Sequence, residues 1–265
     1  MRDEGGEGMT DWNPQQYSRF AGLRLRPAVD LVMRLPALAE GAIVDLGCGN
    51  GGVGPVLRTR FPNARIVGID SSPAMLAEAW KTGAYDALSE EDIATWHPGS
   101  PPEIIFSNAA LHWLPDHQTL VPSLVDRLAP GGTLAVQVPH QNHAPSHRLW
   151  LDLVAQHFPG RVDPDAMPGI PDARTTWAIL DGLGSVAMWE TEYMQPLDAS
   201  DEAHPVRLFT ASTFARPVLE ALDPEERDRI GALYDEAMET AYPRRPDGTV
   251  LFPFKRMFYT LTRPT

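Results

Sequence analysis

A glycine-rich turn that follows a short apolar run restricts the fold of this 265-residue chain more than any other feature. The run 42–46 leads directly into segment 47–52, Gly-Cys-Gly-Asn-Gly-Gly, and a helical pattern follows. Glycines at this spacing permit a tight turn and let a ligand approach the backbone closely. A second apolar run, 65–69, ends at Asp70, whose carboxylate can accept hydrogen bonds from both hydroxyls of a ribose. The segment predicts a nucleoside-binding β-α-β unit, and a tight turn that holds no ligand is the alternative.

Short apolar runs alternate with helical patterns through the first half of the chain. Strands are predicted there at 42–46, 65–69, 87–88, 103–108 and 133–138. Short strands without polar alternation, separated by helices, are typical of a parallel sheet covered on both faces. Two further strands, 185–194 and 252–262, flank a mostly helical stretch. The pattern predicts an α/β fold of the Rossmann-like, doubly wound type, with a mostly parallel seven-stranded sheet and a helical cap.

The predicted organisation has three parts. Residues 1–10 are expected to form a disordered tail, because this segment is acidic and rich in glycine. Residues 11–140 are expected to contain N-terminal lid helices and the cofactor-binding half of the sheet, with Pro27 dividing the helical segment in two. Residues 141–265 are expected to supply the remaining strands, with a helical substrate cap inserted at about 197–249.

Composition excludes several classes of function. The chain carries 22 Lys and Arg against 35 Asp and Glu, a net charge of −13, which argues against binding to nucleic acid or anionic lipid. A single cysteine, Cys48, excludes an internal disulfide and an all-cysteine metal site. His140, His143 and His147 have a spacing that suggests zinc, but they lie in a proline-broken segment without a nearby cysteine, so no metal is expected.

The location of the chain in the cell is predicted from what its sequence lacks. No run of 18 apolar residues is present, so no transmembrane helix is predicted. The first residues also lack the basic and apolar regions of a signal peptide. We therefore expect a cytoplasmic protein.

The charges around the glycine turn distinguish two cofactors. Asp45, Asp70 and Asp92 are predicted at the same carboxyl edge of the sheet, and no Lys or Arg occurs from residue 41 to 57. A pyrophosphate would meet uncompensated carboxylates here, whereas a cation would be attracted. The charges favour S-adenosylmethionine, a sulfonium cation, over NAD, which stays an alternative because helix N-termini attract phosphate.

These residues also carry a family resemblance. The segment 44–51, Val-Asp-Leu-Gly-Cys-Gly-Asn-Gly, resembles the first motif of the class I S-adenosylmethionine-dependent methyltransferases. Segments 68–79 and 108–117, with Asp11-Trp12-Asn13-Pro14 and Arg24-Leu25-Arg26-Pro27-Ala28, more narrowly resemble the trans-aconitate 2-methyltransferase family. The resemblance is dense from about residue 10 to 140 and thins beyond. It implies a Rossmann-like methyltransferase whose cap sets the substrate.

The resemblance implies a set of cofactor-binding residues, each carried over from a matching position. Met75 is expected against the adenine or else in the core, Asp92 at the adenine amino group or else in solvent, and Asn108 at the methionine part or else as a structural cap. The expected cofactor site comprises Asp45, Gly47, Gly49, Asp70, Ser71, Met75, Asp92, Ile93, Asn108 and Ala109.

The acceptor side is predicted from the same resemblance. His112 stands where the family commonly has glutamine, and it is expected to bind a substrate carboxylate, to act as a base, or to cap a helix. Arginines are expected to bind carboxylates, because the guanidinium fork matches two oxygens. The expected substrate-binding residues are Trp12, Tyr17, Arg24, Arg26, Trp113, His140, Arg207 and Arg256.

The expected reaction is O-methylation of a carboxylate on a small polycarboxylic acid such as trans-aconitate. A carboxylate is already an anion at neutral pH, so this reaction needs no general base. Methylation of a hydroxyl acceptor is the alternative, and it would make His112 or His140 essential as a base. An NAD-dependent oxidoreductase and a non-catalytic cofactor-binding regulator are the further alternatives. The oligomeric state is not predicted.

Overall fold

The fold is described from a computed structural model, which defines residues 21–164 and 167–265. The predicted tail 1–10, Trp12 and Tyr17 lie outside these residues. The backbone of Arg24 is described as part of a helix, but its side chain is not.

Strands and helices alternate from residue 21 to residue 157, as the sequence predicts, except that no helix lies between the third and fourth strands. The strands are β1 Ala42–Leu46, β2 Arg65–Asp70, β3 Ala87–Glu90, β4 Ile104–Asn108, β5 Thr133–Pro139, β6 Ser185–Leu197 and β7 Val250–Thr262. The helices are α1 Ala21–Val32, α2 Gly54–Arg60, α3 Pro73–Lys81, α4 His117–Asp126, α5 Pro145–His157, α6 Ala173–Leu180, α7 Pro205–Ala211, α8 Arg216–Glu220 and α9 Pro224–Ala241, with a short 3-10 turn at Leu111–Trp113.

The strands form one seven-stranded sheet in the order β3-β2-β1-β4-β5-β7-β6. The pairs among β1 to β5 are parallel, and β7 is antiparallel to both β5 and β6. The predicted doubly wound, mostly parallel sheet is confirmed. Since β1, β2, β4 and β5 end at the same edge, the residues that end them can line one site.

Pro27 lies inside α1, so the predicted division of the helical segment at this residue is wrong. A proline inside a helix removes one backbone hydrogen bond and strains the preceding turn. Here the same helix buries Ala28, Leu31 and Val32 completely against the sheet. Burial of this apolar face offsets the lost bond, because helices in proteins derive most of their stability from packing.

The last two strands are longer than predicted, and they pair with each other over 13 residues. This antiparallel pair of strands continues past the end of β5, whose last residue pairs with Arg256 on β7. The helices α7, α8 and α9 lie between β6 and β7 in sequence. They bury a core of their own, in which the Trp150 and Tyr234 rings stack with their centroids 4.0 Å apart.

Two apolar layers cover the sheet. The first contains α1 residues together with Ile43, Phe106 and Phe258, and the second contains α4 residues together with Leu134 and Met257. Side chains alternate between these faces along each strand. Within the described residues, no helix is both long and apolar enough to cross a bilayer.

Candidate active site

The glycine turn after β1 has a backbone shape that requires glycine. Gly47 has φ +78°, and a Cβ placed there would lie 2.2 Å from the Cβ of Ala110. The Gly47 amide donates to the carbonyl of Ile69 at 2.8 Å, which fixes the turn to the end of β2. Gly49 has φ +54°, but a Cβ there would meet nothing within 4 Å, so open space lies in front of this residue. The turn is held rigidly with one side facing a possible ligand.

Asp70 connects the turn with the start of α3. Its Oδ2 accepts a hydrogen bond from the Gly49 amide at 2.8 Å, and its Oδ1 accepts one from the Ser72 amide at 3.0 Å. The Ser72 hydroxyl in turn caps α3, accepting from the Met75 amide at 3.2 Å. A carboxylate has about four acceptor positions, so it can accept hydrogen bonds from several donors at once. The predicted ribose-binding acid is thus held in one orientation by the turn itself.

Asp45 lies beneath the turn and is 1 % exposed. Its Oδ2 accepts a hydrogen bond from the Tyr85 hydroxyl at 2.7 Å. Burial raises the pKa of Asp45 to about 7, the hydrogen bond from Tyr85 opposes this rise, and the charge of Asp70 adds to it. A buried carboxyl with this pKa gains much from a neighbouring cation, because the cation stabilises the ionised form.

The other predicted cofactor residues lie at or near the same edge. Ser71 is exposed, and Met75 is buried on the inner side of α3. Asp92 is exposed and accepts from the Ala94 amide at 2.9 Å. The Ile93 side chain approaches within 3.2 Å of the position of a Cβ at Gly47, so it lies over the glycine turn.

The end of β4 carries a polar atom without a partner. The Oδ1 atom of Asn108 is buried and has no hydrogen-bond partner among the described residues. The following residue, Ala109, has φ +53°, a conformation that alanine rarely adopts. Such strain is found at sites where the surrounding structure imposes a particular geometry.

Arg256 on β7 is buried, with 3 % of its surface exposed. Its Nη1 donates to Oε1 of Gln137 at 3.2 Å, and its guanidinium carbon lies 4.7 Å from the centroid of the Phe254 ring. Burial of a charged group is costly unless other groups stabilise it. The guanidinium fork matches the two oxygens of a carboxylate, so this arginine at the edge of the sheet is a candidate binding group for an anion.

Two histidines lie near Arg256. Burial lowers the pKa of His112 to about 3, and the charges of Arg256 and His147 contribute to the shift. Burial also lowers the pKa of His147 to about 3, again with the charge of Arg256 contributing. Both rings are neutral at physiological pH. The Nδ1 atom of His112 is buried and has no hydrogen-bond partner among the described residues.

A second arginine approaches this region from α1. The guanidinium carbon of Arg26 lies 5.5 Å from the centroid of the Tyr193 ring, and the Tyr193 hydroxyl donates to Oδ2 of Asp30 at 2.7 Å. Burial and the bond to Asp30 raise the pKa of Tyr193, whereas the charges of Arg256 and Arg26 lower it. Two of the predicted substrate arginines, Arg26 and Arg256, thus lie within electrostatic reach of the same tyrosine.

The remaining predicted substrate residues are placed differently. The Nε atom of Arg207 lies 2.8 Å from Oδ1 of Asp235, in an ion pair between α7 and α9 of the cap. The Nδ1 atom of His140 contacts the Oε1 atom of Glu190 on β6. The Trp113 ring centroid lies 5.0 Å from that of His112, beside the arginine region.

One polar residue from each of five neighbouring strands lies on the same face of the sheet. These residues, called the polar row, are Asp70, Asp45, Asn108, Gln137 and Arg256, on β2, β1, β4, β5 and β7 in spatial order. In each adjacent pair of strands, the two members of the row are either paired directly or displaced by two residues along the strand. Adjacent strands are about 4.8 Å apart, so the row extends over about 19 Å. It changes from two acids through two amides to a cation.

Sequence reasoning missed several residues of this region. Tyr85 and Tyr193 are aromatic residues without a motif, and His147 was considered only for a metal site. Gln137 is the third residue from the end of β5, and its polar side chain within the apolar run 133–138 is the signal that could have found it. Among the described residues, no group of three or more His, Cys, Asp or Glu is arranged to hold a metal ion.

An open α/β sheet with a glycine turn after its first strand and acids at the same edge is typical of a nucleoside-binding protein. The sequence model of a methyltransferase-domain family matches residues 17–175. The chain belongs to this methyltransferase family. Its membership sets aside the alternative of an NAD-dependent oxidoreductase.

Relatives of the chain are similar over nearly their full length. The trans-aconitate 2-methyltransferase of Methylobacterium nodulans is 39% identical over 260 residues, which cover 96% of this chain and 99% of the relative. That of Klebsiella pneumoniae is 41% identical over 251 residues, which cover 94% and 97%. The solved structure of the YcgJ protein from Bacillus subtilis has a TM-score of 0.59 at 14% identity, covering 91% of this chain and 99% of that one. The last comparison supports the fold alone.

Proposed function

We propose that this methyltransferase uses S-adenosylmethionine to methylate a carboxylate oxygen of a small polycarboxylic acid such as trans-aconitate. The observation that carries the proposal is the buried Arg256, which lies beside two neutral histidines at the end of the polar row opposite the acids. The names of the relatives support the same acceptor. The proposed compartment is the cytoplasm.

The residues at the acidic end of the polar row fit the proposed cofactor. Bound S-adenosylmethionine supplies a positively charged sulfonium whose methyl carbon is the electrophile. Asp70 would accept from the ribose hydroxyls, and Asp45 with Asn108 Oδ1 would accept from the amino group. The glycine turn at Gly47 and Gly49 would lie against the methionine part, which a Cβ at Gly49 would approach.

The other proposed cofactor contacts follow the family positions. Ile93, which lies over the turn, would cover the adenine ring together with Met75. Asp92 would accept from the adenine amino group. Ser71 and Ala109 would contribute backbone groups at the ends of β2 and β4.

The acceptor is proposed to bind at the basic end of the row. Arg256 would pair with one carboxylate through its planar fork, in a region where burial strengthens the interaction. Arg26, which reaches Tyr193 from α1, would attract a second carboxylate. Acceptors with more than one carboxylate would thus bind more tightly than monocarboxylates of the same length.

His112 is proposed to bind the acceptor and not to act as a base. A general base works best when its pKa lies near the operating pH, and the pKa of His112 is lowered to about 3. A carboxylate acceptor with a pKa near 4 is already ionised, so the reaction needs only alignment and exclusion of water. A hydroxyl acceptor would need a proton acceptor, and the lowered pKa of His112 and His147 disfavours that alternative.

A methyl-transfer screen tests the proposal. The purified protein is incubated with radiolabelled S-adenosylmethionine and trans-aconitate, other di- and tricarboxylates, monocarboxylates or phenols. We expect methyl ester formation with the polycarboxylates, trans-aconitate among them. Methylation of phenols without any acid would contradict the carboxylate acceptor, and cofactor binding without turnover of any small acid would support a regulator.

A further inference from the structure

The middle of the polar row contains a residue to which neither the sequence motifs nor the proposed reaction assigns a role. Gln137 lies on β5, opposite Asn108 on β4 and Phe258 on β7, and no part of its surface is exposed. Phe258 and Arg256 are two residues apart on β7, so their side chains point to the same face. Gln137 is therefore the diagonal neighbour of Arg256 on that face.

The chemistry of arginine determines which way the Gln137 amide points. A guanidinium has only donors, so the atom that faces Arg256 Nη1 must be the amide oxygen, at 3.2 Å. The Nε2 atom then points away from the guanidinium as a donor. This Nε2 atom is buried and has no hydrogen-bond partner within residues 21–164 and 167–265.

A buried donor of this kind is costly unless a ligand supplies an acceptor. Arg256, one step further along the row, is a cation, and His112 beside it is neutral. Asn108, one step in the other direction, presents its unpartnered Oδ1 acceptor instead. Along the polar row, the unpartnered side-chain atom is therefore a hydrogen-bond acceptor in Asn108 and a hydrogen-bond donor in Gln137. This change falls between the proposed binding sites of the cofactor and of the acid substrate.

We propose that Gln137 is a specificity-determining residue for the acid acceptor. Its oxygen orients the Arg256 guanidinium, and its Nε2 donates a hydrogen bond to an oxygen of the same acceptor carboxylate. The two side chains together select an acceptor that offers only lone pairs at this point, that is, a carboxylate and not a carboxamide or an alcohol. This inference rests on the proposed function and specifies its anion-binding site.

Two variants separate this role from a structural one. Gln137→Glu keeps the shape but replaces the donor with a negative charge, and Gln137→Met keeps the length but removes both polar atoms. Gln118→Glu adds the same charge at an exposed position on α4 and serves as the control. Thermal unfolding of each variant reports whether it folds, and if Gln137→Glu does not fold, Gln137→Met decides.

The readout is calorimetric binding of trans-aconitate to the protein saturated with S-adenosylhomocysteine, with the Kd of S-adenosylhomocysteine measured separately. We expect acceptor binding weaker by about 10-fold in Gln137→Met and about 100-fold in Gln137→Glu, because a charge-assisted hydrogen bond is lost and then replaced by repulsion. The Kd of S-adenosylhomocysteine should stay within about threefold, and Gln118→Glu should match the wild type.

The outcomes distinguish this inference from the proposed function. If both variants weaken trans-aconitate binding equally, or if both bind it within twofold of the wild type, the proposed role of Gln137 is overturned. The proposed methylation of a polycarboxylate is not affected by either result. Failure of the wild type itself to bind trans-aconitate or any other polycarboxylate would overturn both.

A carboxamide analogue gives a second readout. In Gln137→Glu, the introduced carboxylate can accept from an acceptor in which one carboxylate is a carboxamide. We expect the ratio of kcat/KM for the monoamide to that for the parent acid to rise by about 100-fold relative to the wild type. An unchanged ratio would contradict selection by Gln137.

Discussion

The two ends of the polar row differ in charge although they lie on the same face of the same sheet. At one end, Asp45 and Asp70 lie beneath and beside the glycine turn, held by Tyr85 and by backbone amides. At the other end, Arg256 is buried, lies near His112 and His147, whose pKa values are lowered, and donates to Gln137. In the proposed function, one sheet edge would bring a cationic and an anionic ligand together, each at residues of opposite charge.

The net charge of −13 gives no indication of this arrangement. A chain with this excess of acids is expected to repel an anionic acceptor. The excess does not matter locally, because buried charges interact through a medium of low dielectric constant and over short distances. In the proposed reaction the acceptor would therefore meet the field of the buried Arg256 more strongly than that of the exposed charges on the protein surface.

The largest expected effect lies at the basic end. Arg256→Met removes the buried cation and keeps an unbranched chain of similar length. We expect the KM for the acceptor acid to rise by about 10³-fold, because the acceptor carboxylate loses its charged partner. Steady-state kinetics with varied acceptor measures this rise. An unchanged KM would remove the basic end from acceptor binding.

The corresponding substitution at the acidic end is Asp70→Ala. It removes the acceptor for the ribose hydroxyls and the bonds to the Gly49 and Ser72 amides. We expect the Kd of S-adenosylmethionine to rise by about 10²-fold, with the acceptor Kd nearly unchanged. Calorimetric titration with the cofactor tests this. A change below threefold would show that Asp70 only shapes the turn.

A smaller effect is expected from the titration of Asp45, whose pKa is raised to about 7. Below this pH the carboxyl of the unbound protein is protonated, and a cationic ligand must displace the proton. We expect the Kd of S-adenosylmethionine to rise by up to about tenfold per pH unit as the pH falls below 7. The measurement is calorimetry between pH 5.5 and 8, and Asp45→Asn should flatten the profile. A slope that persists in Asp45→Asn would assign the titration elsewhere.

The same titration has a consequence for stability. The pKa of Asp45 is higher in the folded chain than in an unfolded one, so between these two pKa values the folded chain keeps a proton that the unfolded chain has lost. The free energy of unfolding of the unbound protein should therefore fall as the pH rises from about 4 to 7 and level off above 7. Denaturant unfolding of the wild type and Asp45→Asn compares the two slopes. Equal slopes would show that Asp45 does not cause the fall.

The smallest effect is expected at His112, between the two ends. Its pKa of about 3 keeps the ring neutral over the working range, so it contributes one hydrogen bond at most and no proton transfer. We expect His112→Ala to lower kcat/KM by about tenfold, less than Asp70→Ala weakens cofactor binding, with an unchanged pH profile between pH 5 and 8. A fall in wild-type activity at the acidic end of this range that disappears in His112→Ala would instead indicate base catalysis.

The acidic end was predictable from the sequence because its residues follow a glycine motif at fixed spacing. Asp45, Asp70 and Asn108 lie at or next to the ends of neighbouring parallel strands, and parallel strands bring their ends together. Arg256 was predictable as a residue of the last strand, but its burial was not. It depends on the pairing of β7 with β5, which involves residues 119 positions apart in the bond to Gln137.

Other residues were not predictable for physical reasons. Tyr85 reaches Asp45 across 40 residues from the segment before β3, and no local pattern encodes that contact. Gln137 interrupts an apolar strand, and a polar residue at such a position can indicate a buried binding site. Arg207 was expected at the substrate because it lies in the cap, but a salt bridge with Asp235 is the local alternative that sequence reasoning does not reveal.

The central claim is that the two ends of the polar row bind separate ligands of opposite charge. It is tested most directly by measuring two dissociation constants by calorimetry on the wild type, Asp70→Ala and Arg256→Met. The first is that of S-adenosylmethionine, and the second is that of trans-aconitate in the presence of saturating S-adenosylhomocysteine. The account predicts that Asp70→Ala raises the first constant and Arg256→Met the second, each by at least about tenfold, with the other constant within about threefold. Equal weakening of both ligands by Arg256→Met would contradict it.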